Sequence, residues 1–305
     1  MFTFEYSKST QYKSLSENFY EKVIAGKQNE NLRGKFFDNG ILGIDFGDLE
    51  DNILIEKFHD ISNIFGYGVV RDAMRRDKFS HDDRNIRDVA SVDPDYLHRP
   101  HSEASFSPAK PAVISFLCTD IEEKAIDLGK TTILDGKQIW KELDIQTKKC
   151  LLTSDITYEL AVDIPQTSSK TKNIKREWYL DAVGVHNVEI DKGLGKMYLK
   201  YKTPFVTEHP LTRELTLANH AFINPITEPQ ITDLKINLSK NSKYSEKEVK
   251  NNVLNILENN IRTIKWKKGR CIFIDNYRFM HGRLPYNIKL IRKILIKQLK
   301  KFAIN

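Results

Sequence analysis

Two widely separated segments of the sequence carry the side chains best suited to binding a metal ion. The first, residues 99–111, reads RPHSEASFSPAKP and contains His101 and Glu103. Residues two apart on an extended strand point to the same side, so the imidazole and the carboxylate would be presented together. They are two of the three ligands of a two-histidine, one-carboxylate facial triad, which binds Fe(II) and leaves coordination positions open. The alternative interpretation is that His101 and Glu103 form an ordinary ion pair on the surface.

The second segment, residues 266–286, reads WKKGRCIFIDNYRFMHGRLPY. It contains a strand of buried character, then Asp275-Asn276, and then His281, which lies 180 residues after His101. That separation is long enough for a sheet to wrap and bring the two segments together, so His281 is the candidate third ligand. The alternative interpretation is that Asp275-Asn276 forms a turn and His281 is structural.

The elements that must position these residues are mainly strands. Apolar alternation and short apolar runs predict strands, at residues 112–118, 156–164, 196–206 and 270–274, and residues 65–70 are predicted to be a turn that leads into a short strand. Apolar residues at helical spacing predict helices, at residues 14–24, 52–64 and 245–264. The pattern favours a sandwich or barrel with helical additions, mainly β with helices (α+β). No linker divides the chain, so we expect one domain over 1–305, with an N-terminal helical elaboration over about 1–65.

Two polar stretches are expected to form surface segments. Residues 75–99 have few apolar anchors, and long segments of this kind are often functional. Residues 163–178 include QTSSKTKNIK, which has no apolar period and is the candidate for a mobile lid.

Composition excludes several classes of protein. The chain has 305 residues, of which 40% are hydrophobic and 29% are charged, which is too apolar and too mixed in charge for a disordered protein. No apolar run approaches the length of a membrane span. Three cysteines, an odd number, and an N-terminus without a signal-peptide pattern predict a reducing compartment and a cytoplasmic location.

The formal net charge of +7 raises the question of a nucleic-acid partner. Basic residues are spread along the chain and no nucleic-acid-binding motif is present, so we do not expect one. The densest basic run is Lys289–Lys301, which holds no acidic residue and alternates with Ile and Leu. It is predicted to be a solvated basic face, and it also fits a terminal strand.

Taken together, the two metal-ligand segments resemble those of the Fe(II)/2-oxoglutarate dioxygenases of the taurine dioxygenase superfamily. They are most similar to the clavaminate synthase and asparagine oxygenase branch, which uses His-x-Glu and carries a DN-x-R-x-x-HGR segment. Here the two motifs are HSE at 101–103 and DNYRFMHGR at 275–283. The aromatic and proline residues at 106–111 fit the same pattern, and the resemblance runs from about residue 65 to residue 292.

The resemblance implies a cofactor set and the residues that hold it. Iron would bind His101, Glu103 and His281, and the other reactants would be 2-oxoglutarate and O2. Thr131, in Gly129-Lys130-Thr131, matches the threonine that contacts the cosubstrate carboxylate. Arg292, 11 residues after His281, matches the position of the arginine that clamps the distal carboxylate. A planar guanidinium suits that role since it binds a carboxylate through two parallel hydrogen bonds. Arg283 competes with Arg292 for that role.

The resemblance also implies a fold and a reaction. The fold would be a distorted double-stranded β-helix (jelly-roll, cupin-like) core with N-terminal and inserted helices. The reaction would be hydroxylation of an unactivated C–H bond in a small amino-acid-like or natural-product precursor, with release of succinate and CO2. Desaturation, cyclisation, and a carrier-bound or macromolecular substrate stay open, as does a non-enzymatic metal-binding β-barrel. Glu103 argues against halogenation, because related halogenases have a small residue there.

Candidate substrate contacts are polar side chains near the predicted site. Several arginines would suit a substrate that bears a carboxylate. The candidates are Arg75, Arg99, Arg176 and Asn219.

Overall fold

The protein is described from a computed structural model. It describes residues 2, 4, 6, 11–22, 29–69, 80–81, 86–89, 98–107, 110–163, 187–191, 196–222, 231–239, 243–286 and 292–303. The predicted lid at 163–178 lies outside these residues except for its first one, and so do Arg75 and Arg176.

Strands dominate the described part of the chain, and five helices accompany them. The helices are α1 (Asn29–Asn39), α2 (Asp51–Phe65), α3 (Gly136–Glu142), α4 (Ile145–Leu152) and α5 (Glu246–Asn260). The strands are β1 (Tyr20–Lys22), β2 (Ile41–Asp45), β3 (Gly66–Val69), β4 (Ser80–His81), β5 (Ile86–Asp88), β6 (His98–His101), β7 (Val113–Ile121), β8 (Thr131–Asp135), β9 (Asp155–Asp163), β10 (Asn187–Asp191), β11 (Lys196–Pro204), β12 (Thr207–Glu208), β13 (Leu215–Thr216), β14 (Ile231–Asn237), β15 (Arg262–Ile264), β16 (Arg270–Asp275), β17 (Phe279–Arg283) and β18 (Arg292–Phe302).

The largest sheet has the order β1-β2-β16-β7-β18-β5-β4, and β3 also pairs with β18. Its central strands have apolar residues on both faces. On one face Leu117, Phe273 and Leu295 pack under α1 and α2 in one buried cluster. On the other face Phe116 and Ile272 belong to a second cluster. A strand whose two faces are both buried needs apolar residues at successive positions, which is why β7 and β16 are such continuous apolar runs.

A four-stranded sheet, ordered β15-β8-β17-β6, faces the large sheet. Ile133 of β8 and Phe279 of β17 lie in the same buried cluster as Phe116 and Ile272, so the two sheets pack face to face. This small sheet matters for function, because β6 ends in His101 and β17 contains His281.

The outer face of the small sheet is covered by α3, α4 and α5 together with a third sheet, β10-β11-β9-β14. Each of these helices begins with a side-chain cap. Asp135 caps α3 and Asp144 caps α4, while Ser245 and Glu248 form a reciprocal capping box at α5. The small sheet, which carries His101 and His281, is therefore packed on both faces.

Most predicted strands are found, and one predicted helix is not. The prediction of a helix over 14–24 is wrong, because Glu17–Phe19 is a 3-10 turn and β1 follows it directly. The backbone N–H of Leu15 instead donates to Thr263 O at 2.8 Å. Helix α2 agrees with the predicted 52–64, and α5 ends before the predicted 264 because residues 262–264 form β15.

The described part of the basic C-terminal run, residues 292–301, lies in β18, which favours the terminal-strand interpretation over a fully solvated face. Lys297 is only 3% exposed, and its Nζ lies 3.0 Å from His59 Nδ1 and donates to Asn63 Oδ1 at 2.9 Å. Both of those residues are on α2. No helix of the described chain is long and apolar enough to cross a membrane.

Candidate metal centre

His101, Glu103 and His281 come together, and one candidate ligand atom from each lies within 4.8 Å of the others. Glu103 Oε2 is 3.6 Å from His101 Nε2 and 3.9 Å from His281 Nε2. The two imidazole rings are 4.3 Å apart, centre to centre. Two neutral nitrogens and one carboxylate oxygen form the donor set that suits a divalent transition metal such as Fe(II).

Strand pairing places the two histidines. His281 of β17 is the antiparallel partner of His101 at the end of β6. Directly opposed residues of an antiparallel pair project their side chains on the same face of the sheet, about 5 Å apart. The register shift that follows, between His281 and Arg283, lies beside the site, where β-bulges are common.

Glu103 is placed by a turn and not by a strand. The prediction that Glu103 shares a strand face with His101 is therefore wrong in mechanism, because β6 ends at His101. Ala104, with φ of 49°, adopts the left-handed conformation in the turn that follows. The chain bends back there and brings the carboxylate toward both imidazoles.

Hydrogen bonding and burial prepare the histidines for a metal. His101 Nδ1 is 2.9 Å from Arg99 O, so Nδ1 carries the proton and Nε2, which lies on the Glu103 side, is the nitrogen suited to bind a metal. Burial, and then the neighbouring His101, holds the pKa of His281 well below its usual range. His281 is therefore neutral at neutral pH, as a metal ligand must be.

Asn276 fixes the backbone that carries the carboxylate. Its side chain is completely buried and joins four groups. Oδ1 accepts from Glu103 N at 2.8 Å and from Ser102 Oγ at 3.1 Å, while Nδ2 donates to Glu103 O and Pro111 O, each at 2.9 Å. The alternative interpretation of Asp275-Asn276 as a plain turn is thus incomplete, since Asn276 ties the first ligand segment to the second.

The neighbours of Asn276 make similar ties. Asp275 Oδ2 accepts a hydrogen bond from His209 Nε2 at 2.8 Å, and His209 Nδ1 accepts hydrogen bonds from two backbone N–H groups. Both ring nitrogens of His209 therefore have structural partners. Arg278 grips Asp135 with Nε and Nη2, the closest contact being 2.6 Å. Both ties hold the loop between β16 and β17.

Thr131, Arg283 and Arg292, the predicted cosubstrate residues, cluster beyond the histidines. Thr131 is the strand partner of Arg283, and its Oγ1 accepts from Trp266 Nε1 at 2.9 Å. Arg292 donates to Leu128 O at 3.1 Å and to Gly129 O at 2.7 Å. Burial, and to a smaller extent Arg283, lowers the pKa of Arg292. An anion bound beside Arg292 would therefore stabilise its charged form.

Tyr286 lies between the two arginines. The guanidinium carbons of Arg283 and Arg292 are 4.9 Å and 5.9 Å from its ring centre. Gly129 has φ of +54°, and a Cβ there would overlap the Tyr286 ring. Glycine is therefore required for both backbone and space at the position whose carbonyl holds Arg292.

The described candidates for substrate contact have structural partners. Asn219 is 2% exposed, its Nδ2 donates to Phe205 O at 2.8 Å, and its Oδ1 accepts from Ala221 N at 2.9 Å. The backbone carbonyl of Arg99 holds His101, as described above. Direct substrate contact by either residue stays a prediction.

Sequence reasoning missed several residues around the site. Gln298 Nε2 donates to Glu103 Oε1 at 2.9 Å, and Arg87 in turn donates to Gln298 Oε1 at 2.7 Å. His220 packs its ring 4.8 Å from that of His101, and its Nδ1 is 3.0 Å from Ser102 O. No short-range pattern marks these positions, because each reaches the site from a strand or turn distant in sequence.

The fold and site define a class of protein, a mostly β protein with helices in which two histidines and one carboxylate converge between packed sheets. The family model described as "Taurine catabolism dioxygenase TauD, TfdA family" matches residues 48–295. The chain belongs to this family. It is a 2-oxoglutarate-dependent dioxygenase, and its cofactors are Fe(II), 2-oxoglutarate and O2.

Several solved structures share the fold of this chain. A taurine dioxygenase from Burkholderia xenovorans is 12% identical, with a TM-score of 0.58 over 95% of this chain and 89% of that one. PvcB from Pseudomonas aeruginosa is 14% identical, with a TM-score of 0.58 over 90% and 80%. A second structure of PvcB, an Fe, alpha-ketoglutarate dependent oxygenase from an isonitrile synthetic pathway, is 13% identical with a TM-score of 0.57 over 90% and 80%. No curated protein matches the chain in sequence.

Proposed function

We propose that this dioxygenase holds iron on His101, Glu103 and His281 and hydroxylates an unactivated C–H bond of a small, amino-acid-like molecule. The observation that carries the proposal is the convergence of three ligand atoms within 4.8 Å. When bound, Fe(II) with 2-oxoglutarate and O2 supplies the oxidising power, and 2-oxoglutarate leaves as succinate and CO2. The protein's own residues bind the reactants, orient them and exclude water.

The cosubstrate would be held by Thr131 and Arg292. Because Trp266 donates to Thr131 Oγ1, the hydroxyl proton of Thr131 points elsewhere and can be donated to a carboxylate oxygen. Two carbonyl oxygens of residues 128–129 hold the Arg292 guanidinium close to Thr131. We therefore assign Arg292 as the main clamp and Arg283, the strand partner of Thr131, as a supporting charge.

The fold within the family would be a distorted double-stranded β-helix of the clavaminate synthase and asparagine oxygenase type. The face-to-face sheets support this proposal. The HSE and DNYRFMHGR segments support the branch, since Glu103 takes the carboxylate position and Asn276 binds its backbone.

A small substrate with a carboxylate is proposed because arginines surround the site. Arg99 lies on β6 two residues before His101, and Arg283 and Arg292 both lie against the Tyr286 ring. A cytoplasmic location fits the three cysteines, Cys118, Cys150 and Cys271, which are all free and buried.

Spectroscopy under anaerobic conditions tests the metal site directly. Purified protein mixed with Fe(II) and 2-oxoglutarate should show a weak visible charge-transfer band, and His101→Ala should lack it. His59→Gln is the matched control, because His59 lies on α2 and contacts the outer face of β18. Wild-type protein with no band, or an unchanged band in His101→Ala, would refute the site.

Succinate formation across a panel of amino acids tests the reaction. Wild-type protein should form succinate with at least one substrate, and Glu103→Ala should not. Product mass then distinguishes hydroxylation, which adds one oxygen, from desaturation or cyclisation, which remove two hydrogens. Turnover that survives Glu103→Ala unchanged contradicts the triad.

A further inference from the structure

The two oxygens of the Glu103 carboxylate face different partners. Oε2 points to the two histidines, at 3.6 Å from His101 Nε2 and 3.9 Å from His281 Nε2. Oε1 points away from them and accepts a hydrogen bond from Gln298 Nε2 at 2.9 Å. Gln298 is 6% exposed, so this bond is shielded from competing water.

Arg87 determines which way the Gln298 amide points. A guanidinium can only donate hydrogen bonds, and Arg87 Nη2 lies 2.7 Å from Gln298 Oε1. The amide oxygen must therefore face Arg87, which leaves the amide nitrogen, a donor, facing Glu103. Arg87 is 6% exposed, and its strand β5 pairs with β18 around this point.

We propose that Gln298, oriented by Arg87, is a positioning residue that holds Glu103 as a one-oxygen ligand of the metal. The inference rests on the proposed metal site. A carboxylate that binds through one oxygen, together with two histidines, leaves three of six positions open for cosubstrate and O2. A carboxylate that rotates to bind through both oxygens occupies one of those positions.

The strand geometry supports this role. Gln298 is two residues from Ile296 on β18, and Ile296 packs in the cluster between the two sheets, so the Gln298 side chain projects from that face, toward the site. Lys297, between them, projects from the other face and contacts α2. One strand therefore presents the cosubstrate clamp at one end and the support of the carboxylate ligand at the other.

Binding of Co(II) in place of Fe(II) tests the proposal without turnover. Gln298→Leu keeps the approximate volume and removes the donor. We expect its Co(II) affinity to fall about 10- to 100-fold, as is usual when the partner of a metal ligand is lost. We also expect the Co(II) visible absorption to change shape, because the freed carboxylate alters the coordination.

Lys297→Met is the matched control, because it removes buried hydrogen bonds from the same strand on the opposite face. It should lower the melting temperature while leaving Co(II) affinity and the absorption spectrum unchanged. Gln298→Asn is the second test variant. It keeps an amide but withdraws it by one carbon, so it should also weaken Co(II) binding even where Gln298→Leu folds poorly.

Arg87→Met tests whether Arg87 orients the Gln298 amide. It should weaken Co(II) binding less than Gln298→Leu does, and it should add nothing in the Gln298→Leu background, because Arg87 acts through Gln298. An additive loss of affinity in the double variant overturns the role of Arg87.

The outcomes separate this inference from the proposed function. If wild-type protein does not bind Co(II), or His101→Ala binds it equally well, the metal site itself is wrong. If wild-type binds, His101→Ala does not, and both Gln298 variants bind like wild-type, the metal site stands and the positioning role is overturned. Equal losses in Lys297→Met and Gln298→Leu also overturn it.

Discussion

The Asn276 side chain should be one of the most sensitive positions outside the metal ligands. Asn276→Ala removes four hydrogen bonds at once and leaves the Glu103 N–H, the Glu103 carbonyl and the Pro111 carbonyl without this partner. The side chain is 0% exposed, so solvent does not replace these bonds without entering the core. The substitution should therefore affect both stability and the position of the carboxylate ligand.

The size of the effect follows from the groups left unpaired. A buried polar group that loses its partner costs about 1–3 kcal/mol. Three backbone groups with partial relaxation give about 3–5 kcal/mol, a large part of the ~5–15 kcal/mol that stabilises a typical protein. For a chain of this size, we expect the melting temperature to fall by about 5–8 °C. Metal affinity should fall about 10- to 100-fold, because Glu103 loses its backbone support.

The assay combines thermal unfolding with a Co(II) titration on the same samples. Asn252→Ala is the matched control, since Asn252 Nδ2 also joins two elements, donating to Asp144 Oδ2 and Thr147 Oγ1 at 3.1 Å each, but in a partly exposed position. It should cost less than about 1 kcal/mol and leave Co(II) affinity unchanged. If Asn276→Ala melts within about 2 °C of wild type and binds Co(II) equally well, other contacts hold residues 102–103 and the reasoning is wrong.

Asn276→Asp sharpens the test by keeping the shape of the side chain. It replaces the Nδ2 donor with an oxygen that faces the carbonyl oxygens of Glu103 and Pro111. The ionised form is disfavoured there, so the pKa of the new carboxyl should be raised in the folded state. Stability should then be highest at low pH and fall as pH rises through that folded pKa. An unfolding free energy that rises with pH relative to wild type would contradict the assigned contacts.

Three further substitutions test separate parts of the structure. Trp266→Phe removes the donor to Thr131 and should raise the Kd for 2-oxoglutarate about threefold to tenfold, as expected for ~1 kcal/mol, with Co(II) affinity unchanged in titrations. Burial lowers the pKa of Lys110 to about 7 in the folded protein, whereas the pKa of a lysine in the unfolded chain is ~10.4. At pH values between these two, the unfolded chain binds more protons at Lys110 than the folded protein does. The stability of wild type relative to Lys110→Met should therefore rise with pH across that window, and denaturant unfolding with a pH-independent difference contradicts this. Asp135→Ala removes both the α3 cap and the partner of Arg278, and should cost about 2–4 kcal/mol by the same measurement, against under about 1 kcal/mol for an exposed helix residue.

The three candidate metal ligands could be selected from the sequence because metal binding restricts the residue types, and the structure brings them together; their binding of iron stays a prediction. An imidazole, a carboxylate and a distant second imidazole are the donor groups of a facial triad. The resemblance of both segments to one enzyme family then indicated that they bind the same metal ion. The route by which they meet could not be predicted in the same way. His101 and His281 meet through antiparallel register, and Glu103 arrives through a turn with Ala104 in a left-handed conformation.

Long elements were predicted well and short ones poorly. Helix α2 has fifteen residues with a clear apolar stripe, so periodicity identifies it. Helices α3 and α4 have seven and eight residues, too few for a period to appear, and their caps at Asp135 and Asp144 are the stronger signals. The predicted helix over 14–24 failed because pairing with Thr263 and β2 outweighs local helical spacing.

The loop between β16 and β17 explains why the DNYRFMHGR segment contains polar residues besides the candidate ligand His281. Asp275 is tied to His209, and Arg278 to Asp135, so both ends of the loop are anchored to different elements. Between them Asn276 grips the backbone of the carboxylate segment, and β17 then begins and delivers the second histidine. One short stretch thus sets the position of Glu103, which it does not itself contribute, and of His281, which follows it. A change that loosens either anchor should therefore move the carboxylate and that histidine together, whereas a change at Gln298 should move the carboxylate alone.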